Sequence, residues 1–166
     1  IDGATNVTVQ NVRVDGAGRG NNNYRFSGIA FWNADGQVTN NYITGIRDTP
    51  FRGSQHGVGV YANNDTGNSY SVSVSGTVIN DFQKNGMSLS GSGLTVDIDN
   101  NTVTGKGSIS TTALNGIQVG NGATGSVENN TISKIAYDGP RFASGAILTL
   151  FASGTLIINN NTISES

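Results

Sequence analysis

Apolar and polar residues alternate along this chain in short runs, and the runs return at a fixed interval. In Gly116-Ile117-Gln118-Val119-Gly120, Ile117 and Val119 fall on one side of an extended backbone and Gln118 on the other. That period of two predicts a strand. Equivalent inward pairs are Ile29/Phe31, Val58/Val60, Met87/Leu89 and Ala146/Leu148. A second run places Val9, Val38, Val74, Ile98, Val127 and Ile158 inward, and a third places Val14, Ile43, Ile79, Val103, Ile132 and Ile163 there. An asparagine-containing bend joins the second run to the third. It is plainest in Ser126-Val127-Glu128-Asn129-Asn130-Thr131-Ile132-Ser133, with copies at Ile98–Thr104 and Ile158–Ser164 and a looser one at Val38–Thr44. Gly28, Gly57, Gly86, Gly116 and Gly145 open the first runs at steps of 29, 29, 30 and 29 residues. Self-similarity at such a period is the signature of stacked repeats.

Three short strands per repeat, each lying on its copy in the next, predict one all-β domain over residues 1–166, a parallel β-helix of about six rungs of ~29 residues. Asn11, Asn40, Asn100, Asn129 and Asn160 are expected to stack as an asparagine ladder, interrupted at Gly76 in the rung that also carries the insert Ala62 to Ser71. The repeat pattern resembles the right-handed parallel β-helix proteins, a group that includes pectate lyases, polysaccharide epimerases, phage tailspikes and many surface proteins. The resemblance covers nearly the whole chain and implies the right hand, which the rule for parallel crossovers also favours. It implies a polysaccharide or glycan partner and an extracellular or cell-surface location. The first rung lacks its first strand, and the last stops at Ser164-Glu165-Ser166. The chain is therefore expected to be a segment of a longer protein with its caps missing, and bare ends would allow end-to-end self-association.

Composition narrows the classes further. Only 12% of residues are charged and 35% hydrophobic, the remainder being rich in Gly, Asn, Ser and Thr. These are poor helix formers and good turn residues. The net charge is −2 and the nine basic residues are scattered, so the concentrated basic footprint of a nucleic-acid binder is missing. With no cysteine there is no disulfide framework and no thiolate metal site. No apolar run approaches the ~20 residues of a membrane span. Ile1-Asp2-Gly3 already reads as part of a repeat rather than a leader, as in a trimmed piece.

Candidate chemistry gathers on the outer face of the first strand. Trp32 and Tyr61 are 29 residues apart with small outward neighbours, which would make an aromatic platform for sugar rings. The return loops beside them carry Tyr24, Arg25, Asp48, Phe51, Arg52 and His56, and further along Tyr137, Asp138 and Arg141. Arg25, Asp48, Tyr137, Asp138 and Arg141 are expected to join the two aromatics in binding a glycan. The plainer alternative is that Phe26 and Phe51 cover the aromatics as a satellite cluster. His56, the only histidine, is a candidate general base paired with Arg52. Asp97, Asp99 and Glu128 are candidates to hold Ca²⁺ on the second strand, against the simpler reading of a solvated acidic face; no other cofactor is expected. Thr102-x-Thr104, Thr131-x-Ser133 and Thr162-x-Ser164 resemble the hydroxyl arrays of β-helical ice-binding proteins, although β-propensity alone explains them. Sequons occur at Asn6, Asn64, Asn100, Asn129 and Asn160, and the ladder would bury the last three. The lyases' calcium-binding aspartate set and the epimerases' tyrosine-plus-histidine motif have no counterpart. The expectation is a carbohydrate-binding or surface-structural β-helix, with a polysaccharide lyase, hydrolase or epimerase as the alternative and ice binding as a minor one.

Overall fold

A computed structural model describes residues 1–166. It holds seventeen strands and no helix. A partial turn contributes β1 (Val7–Gln10) and β2 (Arg13–Asp15). Five complete turns follow: β3 (Ser27–Trp32), β4 (Gly36–Thr39) and β5 (Tyr42–Thr44), then β6 (Val58–Asn63), β7 (Tyr70–Ser75) and β8 (Val78–Asn80). The third has β9 (Asn85–Ser90), β10 (Leu94–Asp99) and β11 (Thr102–Ile109), the fourth β12 (Asn115–Gly120), β13 (Thr124–Glu128) and β14 (Thr131–Tyr137). The fifth has β15 (Gly145–Leu150), β16 (Leu156–Asn159) and β17 (Thr162–Ser164). The solenoid thus has five full turns, where the repeats predict about six.

Every strand pairs in parallel with its counterpart one turn away, giving a five-stranded first sheet from β3 to β15 and two six-stranded sheets. Val9, Val38, Val74, Ile98, Val127 and Ile158 stand in one register column, and Val14, Ile43, Ile79, Val103, Ile132 and Ile163 in another. These columns are the core the alternation predicts. A cluster of 25 buried apolar residues fills the solenoid. Each fully buried aliphatic contributes roughly 1.5–3 kcal/mol, so interior columns hold the turns together without helices. In the last turn Ile157, Ile158 and Ile163 are about half exposed, at 52%, 47% and 51%.

The first sheet departs from its predicted register in two turns. Ile29 faces Val60 and Phe31 faces Ala62, so the inward pair of the second turn is Val60/Ala62 and not Val58/Val60. In the last turn Ile147 aligns with Ile117, which puts Leu148 beside outward Gln118 and corrects the expected pair Ala146/Leu148. The glycine column shifts with it, to Gly28, Gly59, Gly86 and Gly116. A Cβ on any of these would collide with the carbonyl of the next turn and with the third-strand aliphatic Ile43, Ile79, Val103 or Ile132. Close approach of the first and third sheets therefore selects glycine. Gly57 and Gly145 lie outside that column.

The asparagine ladder exists one residue later than expected. Asn41, Asn101 and Asn130 are 3%, 1% and 1% exposed. Asn101 Nδ2 donates to Val74 O at 2.8 Å and its Oδ1 accepts the Thr77 amide at 2.9 Å. Asn130 repeats this toward Ile98 O and the Asn101 amide, and Asn161 toward Val127 O and the Asn130 amide. Asn41 binds Val9 O and the Val12 amide in the same way. Thr77 is the interruption. The preceding asparagines, Asn11, Asn40, Asn100, Asn129 and Asn160, have φ of 52–56° and are exposed, and Gly76 takes their place at 58°. Asparagine tolerates this left-handed region better than other non-glycine residues. The sequon asparagines 100, 129 and 160 accordingly face solvent rather than the ladder.

Candidate functional site

The first sheet forms the floor of a groove, and the loops returning from the third sheet form one wall. Because the side chains of a strand alternate, Ala30, Tyr61 and Gln118 sit on the outer face while Ile29, Val60 and Ile117 enter the core. An open cavity of about 410 Å³ lies over the first two full turns, lined by Tyr24, Arg25, Trp32, His56 and Tyr61 among others. Trp32 and Tyr61 are diagonal rather than direct neighbours: Tyr61 stands opposite Ala30, and Trp32 opposite Asn63. Their ring centroids are nevertheless 5.8 Å apart at an interplanar angle of 34°. Arg25 lies over the Trp32 ring, its Cζ 5.4 Å from the centroid. Phe26 lines the cavity, but Phe51 packs near Lys106 instead, so the aromatics border open space and are not sealed beneath both phenylalanines.

Sequence reasoning did not single out Asp65, which fixes the indole. Trp32 Nε1 donates to Asp65 Oδ2 at 3.2 Å, and Asn33 Nδ2 donates to Asp65 Oδ1 at 2.7 Å. The Asn33 side chain in turn accepts the Asp65 amide at 3.0 Å. Asp65 belongs to the insert between β6 and β7, and only the folded turn brings it against Trp32. Burial raises the Tyr61 hydroxyl pKa, opposed by the Arg25 charge and aided by Asp65.

The adjacent loop builds a second arrangement. His56 Nε2 lies 2.8 Å from Asp48 Oδ1, and the two side chains are 6% and 1% exposed. Ser54 Oγ donates to Asp48 Oδ2 at 2.6 Å, the Asp48 amide donates to Gln83 Oε1 at 3.1 Å, and Arg52 Nε approaches Asp48 Oδ2 at 3.5 Å. Burial pushes the Asp48 carboxyl pKa up, but the Ser54 and His56 hydrogen bonds and the His56 and Arg52 charges outweigh it and hold it below the ordinary carboxylate value. An ionised carboxylate only accepts, so His56 Nε2 donates to Asp48 Oδ1. The Tyr24 ring stands edge-on to the imidazole, 6.0 Å away.

Asp48, expected to touch a ligand, is thus placed to orient His56 from beneath. Arg52, expected to act beside His56, reaches the same carboxylate from the half-exposed side and does not line the aromatic cavity. Tyr137 ends β14, and Asp138 and Arg141 lie in the return loop before β15, three strands beyond β6 and so roughly 14 Å along the solenoid. Tyr137 packs near Phe142 at 6.1 Å, and none of the three lines the cavity of Trp32 and Tyr61.

On the second sheet Asp99 faces Glu128 and Asp97 faces Ser126. Asp99 accepts from the side chains of Asn100 and Asn129, and Asp97 from Ser126 Oγ at 3.3 Å. No three acidic or histidine side chains converge as a metal site, so Asp97, Asp99 and Glu128 are not brought together for Ca²⁺. On the third sheet, Thr102, Thr131 and Thr162 do form a column, as do Thr104, Ser133 and Ser164. Val78 and Tyr42 continue the first column, ending its row of hydroxyls after three turns.

The model of the right-handed β-helix region matches residues 27–166, all five complete turns. The chain belongs to the right-handed β-helix family. Comparison with curated proteins and with solved structures finds no match. Membership of the β-helix family establishes the architecture, while activity must be argued from the groove, because one fold carries many chemistries. No helix of the β-helix is long and apolar enough to cross a membrane.

Proposed function

We propose that this β-helix binds a polysaccharide along the outer face of its first sheet, as an extracellular or cell-surface glycan-binding module. The supporting observation is the pinned pair of Trp32 and Tyr61 on an open cavity, with Arg25 and Tyr24 at its rim. Aromatic faces present large apolar area at little conformational cost, and the neighbouring guanidinium and phenol supply hydrogen bonds to hydroxyls. The indole is held in advance by Asp65, which lowers the ordering cost of binding. Trp32→Ala is expected to weaken binding to a responsive polysaccharide at least tenfold in isothermal titration, and Tyr61→Ala severalfold. His56→Ala is expected to leave affinity within about twofold. Unchanged affinity in a folded Trp32→Ala variant would remove the site from this face.

One observation favours a second reading, in which the same groove cleaves or epimerises its glycan. The buried Asp48 orients His56, which lines the aromatic cavity, in the manner of an acid–base pair. On that reading His56→Ala abolishes turnover while binding survives, and new reducing or unsaturated ends are the readout. The three-turn hydroxyl array offers less to an ice-binding reading, since its columns pass into Val78, Tyr42 and Asn80.

A further inference from the structure

Further along the first sheet a second cavity of about 550 Å³ opens, meeting the first at Gln55, which lines both. Asn115, Gln118 and Leu148 form part of its floor, with Lys84, Thr112 and Phe142 around it. The floor amides are linked in a second short ladder. Asn115 Nδ2 donates to Asn85 Oδ1 at 3.2 Å, Asn85 Nδ2 to Gln118 Oε1 at 3.2 Å, and the Gly145 amide to Asn115 Oδ1 at 3.2 Å. Each side-chain NH₂ has two donors; those of Asn115 and Asn85 use one each in these bonds, and that of Gln118 uses none.

Lys84 is the unusual member. Its Nζ donates to Ala113 O at 2.7 Å and takes part in none of the five ion pairs of the molecule. An ammonium carries three donors, so two remain for a ligand. Burial lowers its pKa, the sign of a charge partly stripped of water without a counter-ion. Thr112 is 3% exposed and its hydroxyl has no hydrogen-bond partner. Rotation about its χ1 exchanges methyl and hydroxyl, which gives the hydroxyl a way to meet a bound group. Phe142, 67% exposed, adds an apolar surface beside this polar set. A lone cation, amide donors and an aromatic edge in one cavity match an acidic group carried on a sugar.

We infer that the Lys84 cavity is a binding site for an anionic substituent, carboxylate or sulfate, on the glycan lying in the groove. This rests on the glycan-binding reading above. Tyr61 and Gln118 occupy strands two spacings apart, about 10 Å, so one oligosaccharide reaches both cavities.

The test follows the Leu148 methyl resonances of the whole chain during titration with glucuronate, glucose 6-sulfate and glucose. A saturable shift with either anion and none with glucose is expected, and the anion that acts identifies the source of the charge. Lys84→Met should weaken that binding at least tenfold, Lys84→Arg should retain most of it, and the near-isosteric Thr112→Val should weaken it severalfold. Silence with both anions, or equal affinity in a folded Lys84→Met variant, overturns the inference. If Lys84→Met does not fold, unchanged affinity in Thr112→Val together with loss in Lys84→Arg overturns it equally. Trp32 fluorescence in a parallel polysaccharide titration separates the two ideas. A Trp32 response with silent Leu148 methyls removes only the anion site, whereas methyl shifts with an unresponsive Trp32 remove the groove reading.

Discussion

Adjacent asparagines in each Asn-Asn bend carry opposite burdens. Asn101 is buried and saturates the Thr77 amide, the Val74 carbonyl and Asn130, while Asn100 beside it is exposed at a φ of 55°. Asn101→Ala should therefore destabilise by about 1–3 kcal/mol for each buried group left unpaired, read from urea unfolding. Asn100→Gly should stay within about 0.5 kcal/mol of the parent, since glycine adopts that φ freely. The repeat made both asparagines visible in the sequence, but periodicity alone could not say which turned inward, because the left-handed residue at the bend breaks the alternation. Asp48 supplies a second residue-scale prediction. Its folded carboxyl pKa lies below its unfolded value, so its contribution is fully present above about pH 4 and is lost as pH falls through the folded value. Between pH 5 and pH 3 the parent should lose stability that Asp48→Asn does not lose, and at pH 7 the variant should be less stable by about 1–3 kcal/mol. Equal acid sensitivity of the two would contradict the assigned network.

At the scale of elements, each ladder residue donates to a carbonyl of the second strand one turn earlier: Asn41 to Val9, Asn101 to Val74, Asn130 to Ile98 and Asn161 to Val127. Thr77 occupies the same column and meets the Asn41 amide only at 3.4 Å, and by this pattern Val38 O lacks its amide donor. Thr77→Asn should supply that donor and raise stability by about 0.5–1.5 kcal/mol, seen as a higher urea midpoint with an unchanged slope. A loss of stability would show that the second turn cannot accept the ladder geometry. Strand existence and the second and third sheet registers were legible because Val and Ile recur there without interruption. The first sheet was less so: the column that matters is Gly59 rather than Gly57, and it is steric contact between sheets that selects it.

For the whole molecule, stacking turns one strand's outer face into a groove about as long as the solenoid. Residues about one repeat apart come close, so Trp32 and Tyr61 could be paired from the sequence, although the register makes them diagonal, and His56 and Arg25 could be placed near them. Tertiary details escaped that reading. Asp65 reaches Trp32 from an insert with no repeat signal, Asp48 turns under His56 instead of outward, and Lys84 faces a cavity assembled from four return loops. The repeat makes the loop of Asp138 and Arg141, with Tyr137 just before it, equivalent to the loops beside the aromatics, but that equivalence places it several turns away.

The most direct measurement uses the only tryptophan in the chain. Trp32 fluorescence should change saturably on titration with at least one member of a panel of neutral and acidic polysaccharides, and Tyr61→Ala should weaken that response. The same samples, assayed for new reducing or unsaturated ends, distinguish binding alone from cleavage at His56. An indole that stays unresponsive across the panel, with a blue-shifted emission marking it as buried, would contradict the glycan groove on the first sheet.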